Sequence, residues 1–159
     1  MPEPFDRFAN PTRRVLMFAQ DEGQRLNHGY LGSEHLLLGI MRERQSAAAR
    51  LLASLGADLP KARGRVTAIV GQGLQPCAGE VVLALTAQHV IEFAVDEAHQ
   101  LGQEDIRAEH VLLGVIRERA GIGAAVLEDL GVNLNDVHHQ VQQILQILGH
   151  RGQRDEPTA

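Results

Sequence analysis

Tryptophan is missing from this 159-residue chain, and one tyrosine and four phenylalanines are its only large aromatics. A core must therefore be built from Leu, Val, Ile and Ala. Cys77 is the single cysteine, which excludes an intramolecular disulfide and a cysteine-based zinc finger and suits a reducing compartment. No apolar run approaches the roughly 18 residues that a spanning helix needs, and Met1-Pro2-Glu3-Pro4 lacks the basic-then-apolar order of a secretion signal. The expectation is a cytoplasmic protein without membrane contact. Phosphate-binding loops are lacking too: Gly71-Gln72-Gly73 has no third glycine, and no Gly-Lys pair occurs. Eight histidines show no His-x-x-x-His or His-Glu-x-x-His spacing, so no metal and no other cofactor is expected.

What is present describes a globular chain, with 44% hydrophobic and 22% charged residues. Its length fits about one domain. The net charge of −5 is unevenly spread. Residues 1–75 hold ten Lys/Arg against seven Asp/Glu, net +3, whereas residues 76–159 hold five against thirteen, net −8. The second half should repel nucleic-acid phosphates and attract cationic partners. Lys61 is the sole lysine, so nearly every base is an arginine able to form bidentate contacts.

The chain repeats itself. Glu34-His35-Leu36-Leu37-Leu38-Gly39 returns 75 positions later as Glu109-His110-Val111-Leu112-Leu113-Gly114. The same gapless offset matches Val15 with Val90, Asp21-Glu22 with Asp96-Glu97, Arg42-Glu43-Arg44 with Arg117-Glu118-Arg119, and Leu55-Gly56 with Leu130-Gly131. This is a tandem duplication.

Each copy reads as four helices. In the first, Asn10-Pro11 looks like an N-cap with proline at the first helical position, and Asn27-His28-Gly29 stops the helix. Ser33 is placed to cap a second helix through Arg44, apolar nearly all round and hence buried. A third covers Ser46 to Leu55, and Asp58 caps a fourth from Leu59 to Val70. The second copy predicts helices near 86–101, 109–119, 121–129 and 134–148. The connection around Gly71–Glu80 carries glycine and proline. Boundaries fall at 1–72 for the first repeat, 73–85 for a linker, 86–148 for the second repeat and 149–159 for a flexible tail. Each copy alone is small for an independent core. The fold class expected is all-α: two tandem four-helix repeats packed as one pseudo-twofold domain.

Glu34 and Glu109 open their helices, where orphan N–H groups and the macrodipole favour anions. Either they contact a ligand there, or they stabilise their own helices by about 0.3–1 kcal/mol each. His35 and His110 precede buried leucines and read as structural. No serine or cysteine nucleophile recurs in both copies, and no enzymatic activity is expected.

At this point the sequence resembles the Clp N-terminal domain, the double-repeat module preceding the ATPase rings of ClpC- and ClpA-type unfoldases. The residues that carry the likeness are Phe5-Asp6-Arg7-Phe8, Asn27 through Gly39, Leu55-Gly56, and Ala108 through Gly114 with Arg117-Glu118. The ClpC type is the nearer one. The resemblance implies eight helices and a docking role for an unfoldase–protease. Its partners would be protein or peptide segments, Clp substrates or adaptors, and cyclic-peptide ligands of such domains. It implies ligand-binding positions at Glu34 and Glu109, which would hold the guanidinium of arginine-phosphorylated substrates, with Ser33 and Arg7 beside the first, and an apolar surface including Phe5. The chain departs from the family at Ala9 and Ala84, usually Thr, and at Arg107-Ala108, usually Gly-Thr.

The reading that results is a non-catalytic binding module assisting or competing with a Clp unfoldase, either as a stand-alone homologue, which the altered pockets favour, or as a fragment of a longer unfoldase. The alternative is a regulatory protein that docks a basic surface through the acidic second repeat (Asp96, Glu97, Glu104, Asp105, Asp129, Asp136) without binding substrate.

Overall fold

The computed structural model describes residues 7–75 and 81–154, with side chains through residue 149. Among the described residues eight helices follow one another: α1 (Asn10–Arg25), α2 (Ser33–Arg42), α3 (Ala47–Ser54), α4 (Leu59–Val70), α5 (Leu85–Gln100), α6 (Ala108–Arg117), α7 (Ile122–Asp129) and α8 (Leu134–Arg154). Every helix of the first copy begins again 75 residues later. The first three also end there, while α8 runs on to Arg154 instead of stopping near 148. The all-α double repeat expected from the sequence is the fold observed.

The centre is built from α2 and α6. Every residue from Ser33 to Met41 and from Ala108 to Ile116 is buried. Leu36, Leu37, Leu38, Leu112 and Leu113 are completely enclosed, each such side chain contributing about 1.5–3 kcal/mol of burial. α2 packs on α6 and α7 of the other copy, and α3 on α6, so one core serves both repeats. Gly39 and Gly114 let α1 and α5 cross closely. A Cβ at Gly39 would overlap the Val15 carbonyl oxygen, and one at Gly114 the Val90 carbonyl oxygen.

Three helix starts differ from expectation. The N-cap of α1 is Ala9, not Asn10; that of α5 is Ala84; neither provides a side-chain bond. The N-cap of α2 is Gly32, and Ser33 is already helical. Asp58 does cap α4, accepting from the Lys61 N–H at 2.8 Å. Asn27 ends α1 with φ 57°, the left-handed conformation that Asn tolerates.

The segments leading into α1 and α5 are exchanged between copies. β2 (Val82–Leu83) pairs in parallel with β1 (Tyr30–Leu31). In the equivalent place Phe8 bridges Ile106. The hydrogen bonds match across the offset: Ala84 N–H donates to the Leu31 carbonyl at 2.9 Å, and Ala9 N–H to the Ile106 carbonyl at 3.1 Å. Two-residue strands are too short to leave an alternating pattern.

Candidate functional site

The starts of α2 and α6 are each held by a histidine. His35 Nδ1 accepts the Gly32 N–H at 2.9 Å, and His110 Nδ1 accepts the Arg107 N–H at 2.8 Å. Since a backbone N–H only donates, each ring is neutral with its proton on Nε2. His35 Nε2 then donates to His28 Nδ1 at 2.9 Å, and His28 Nε2 to the Gly71 carbonyl at 2.8 Å. In the second copy Gln103 replaces His28: its Oε1 accepts from His110 Nε2 at 2.7 Å, and its Nε2 donates to the Leu145 carbonyl at 2.7 Å. Burial pushes the pKa of both His35 and His110 down to about 4. These rings are structural braces.

Beside them the two copies cap one another. Glu109 Oε2 accepts the Ala48 N–H at 3.1 Å, at the start of α3. Ser33 Oγ accepts the Gly123 N–H at 3.0 Å, at the equivalent start of α7. Glu34 receives the Tyr30 hydroxyl at 3.4 Å. Both acids are nearly enclosed, and burial raises their carboxyl pKa above the ordinary value. Burial and the neighbouring Glu34 push the Tyr30 phenol up to about 12.

Glu109 also lines a cleft of about 370 Å³, together with Ala9, Thr12, Ser46 and the arginines Arg14, Arg50 and Arg107. Arg14 is tied to Glu43 at 2.7 Å, and Arg50 Nη2 donates to the Gln45 carbonyl at 3.1 Å. A carboxylate wall beneath several guanidinium groups can hold a zwitterionic group, cation inward and anion toward the rim.

The sequence-designated residues do not converge on one point. Arg7 is exposed, and its Nε donates to the Glu104 carbonyl at 3.1 Å. It therefore lies on the strand segment before α6, on the Glu109 side, rather than beside Ser33. Ser33 is wholly buried with its hydroxyl directed at Gly123. Phe5 lies outside the described residues. Arg14, Ser46 and Arg50 were missed, because nothing in a repeat alignment shows that α3 of one copy meets α6 of the other. Of the acidic docking set, Glu97 is buried and bonded by Arg117 and His138, so it is removed from any surface. Asp96 is bonded by Arg117 at 2.9 Å. Among the described residues, no helix is long and apolar enough to cross a membrane.

Comparison with known proteins is consistent across sequence and structure. A family model described as the Clp repeat (R) N-terminal domain matches residues 7–120 and 83–158. The chaperone protein ClpB of Oceanobacillus iheyensis is 42% identical over 145 residues, covering 91% of this chain and 17% of that protein. The negative regulator of genetic competence ClpC/MecB of Bacillus subtilis is 42% identical over 145 residues, again 91% of this chain and 17% of its own length. The N-terminal domain of the chaperone ClpD from Arabidopsis thaliana aligns with TM-score 0.74 at 24% identity, covering 89% of this chain and 96% of that one. The Hsp104 N-terminal domain from Candida albicans aligns with TM-score 0.71 at 14% identity, covering 86% and 90%. The chain thus spans about a sixth of the length of the curated relatives it matches.

Proposed function

This chain belongs to the Clp repeat N-terminal domain family, and on that footing we propose that it is a non-catalytic module binding polypeptide segments for a Clp unfoldase–protease. The observation that carries the reading is Glu109: a nearly buried carboxylate on the wall of an open cleft rimmed by arginines. Such a site suits an arginine-phosphorylated peptide, with the ligand guanidinium on Glu109 and its phosphate on Arg107 and Arg50. Arg7, on the same side of the second repeat, adds positive charge near the approach. Glu34 and Ser33 form the pseudo-symmetric counterpart, and adaptors or cyclic peptides are the further ligands for which the family resemblance designates Phe5. Substrates and adaptors of a cytoplasmic unfoldase are the partners this reading implies.

Calorimetric titration with a phosphoarginine peptide tests it. Glu109→Gln keeps an oxygen to accept the Ala48 N–H and removes the negative charge, so binding should weaken about tenfold or more while the fold stands. Glu34→Ala should weaken binding at the counterpart site. Affinity unchanged in both variants refutes the assignment of these residues.

A further inference from the structure

A second cleft, of about 320 Å³, opens on the first repeat between the end of α2, α3 and the start of α4. Its floor is apolar: Met41, Ala49 and Ala57 are buried, and the half-buried Leu59 forms a wall. Arg44 stands at the rim, and its guanidinium has no hydrogen-bond or ion-pair partner among the described residues. The one acid there, Asp58, is engaged at the start of α4, accepting the Lys61 N–H at 2.8 Å with the Lys61 ammonium 3.8 Å away. The open charge of the cleft is therefore positive.

The duplication provides an internal comparison. The equivalent cleft of the second repeat, about 210 Å³, is lined by Arg119, Glu128 and Asn135 among others. Arg119 corresponds to Arg44 and is satisfied from within: its Nη2 donates to Asn135 Oδ1 at 3.1 Å, and its Nη1 lies 3.9 Å from Glu128 Oε1. The residues at those two positions in the first repeat are Pro60 and Ala53. One scaffold thus carries a cleft that answers its own arginine, and another in which the carboxylate has been replaced by open apolar space.

We propose that the α2–α3–α4 cleft of the first repeat docks an acidic, leucine-bearing polypeptide segment, whose carboxylate takes on Arg44 the place that Glu128 holds beside Arg119. An aliphatic side chain of the segment fills the floor over Met41 and Ala57, and the net charge of +3 on residues 1–75 attracts the acidic chain. The site is distinct from the Glu109 cleft, with which it shares only Arg50.

A short fluorescein-labelled peptide alternating Leu and Glu serves as probe in an anisotropy titration of the full chain. Its counterpart with Gln at every Glu is the control. The acidic peptide should bind, and the Gln peptide should bind about tenfold more weakly. Ala53→Glu installs the second repeat's carboxylate at an exposed position and should reduce binding of the acidic peptide by a similar factor, as should Arg44→Gln. Amide chemical-shift changes in the wild type should cluster around residues 41–60. The proposal is overturned by no binding, by equal affinity for the Gln peptide, by an Ala53→Glu variant that binds unchanged, or by shifts clustered at Glu109. Phosphoarginine titration of Arg44→Gln, whose side chain lines only the α2–α3–α4 cleft, reads the Glu109 cleft independently and should match the wild type.

Discussion

Ser33 and Gly123, ninety residues apart in sequence, meet at 3.0 Å across the boundary between the repeats. The hydroxyl at the start of one copy's second helix satisfies an orphan N–H at the start of the other copy's third. Across the pseudo-twofold the same task falls to Glu109 and Ala48, because position 108, equivalent to Ser33, is alanine. Two chemically different groups at adjacent positions thus tie each repeat to its partner.

Ser33→Ala leaves the Gly123 N–H buried without its partner. Such an orphan costs about 1–3 kcal/mol. The midpoint of urea unfolding should fall by a corresponding amount, with little change in slope. A midpoint equal to that of the wild type would show that the contact is energetically idle.

Acid should loosen the fold through His35 and His110. Their folded pKa of about 4 lies below the free-imidazole value of about 6.5. The stability they confer is therefore complete above roughly pH 6.5 and is lost as pH falls toward 4, on the order of a few kcal/mol. Glu34 and Glu109 act in the opposite direction: their raised pKa means the folded state takes up protons more readily, offsetting part of the loss. Nitrogen-detected NMR of the native protein at pH 5.5 should find both rings neutral with the proton on Nε2. Finding them as imidazolium would contradict the bonding described.

His138 stands where the first repeat has Arg63. Arg63 grips both oxygens of buried Glu22, at 2.6–3.2 Å. His138 reaches only Oε1 of Glu97, at 3.2 Å, and Glu97 Oε2 is a buried oxygen without a hydrogen-bond partner among the described residues. His138→Arg should supply the missing fork and raise stability by about 1–2 kcal/mol, readable as a higher Tm. The reciprocal Arg63→His should lower it.

The caps of α1 and α5 are alanines without side-chain bonds. Replacing Ala9 or Ala84 with threonine restores a hydroxyl that can accept from the first turn. Each should add about 0.5–2 kcal/mol, and the pair should be nearly additive because the helices belong to different copies. Thermal melts of the single and double variants measure this.

Helix order, the buried second helix and the duplication were legible because they repeat over many residues. The periodicity of Leu36 to Met41 and its return at Val111 to Ile116 leave little room for another reading. What escaped notice depends on contacts between copies. Ser33 looked like a cap for its own helix, yet it serves α7. Arg7 looked like a neighbour of Ser33, yet the strand exchange carries it to Glu104. His28 and His35, separated by a turn, gave no sign that they touch, since a turn's geometry decides whether rings seven positions apart converge. A self-alignment pairs equivalent positions and is silent about which of them face each other.

The crossed strands bear on how such a chain arose. Phe8 completes the edge beside Ile106, and Val82 completes the edge beside Tyr30, so neither half closes its own perimeter. An unduplicated ancestor with this arrangement would have borrowed the segment from a second molecule, as a twofold homodimer does by swapping arms. With both copies on one chain the exchange is intramolecular, so it holds at any protein concentration.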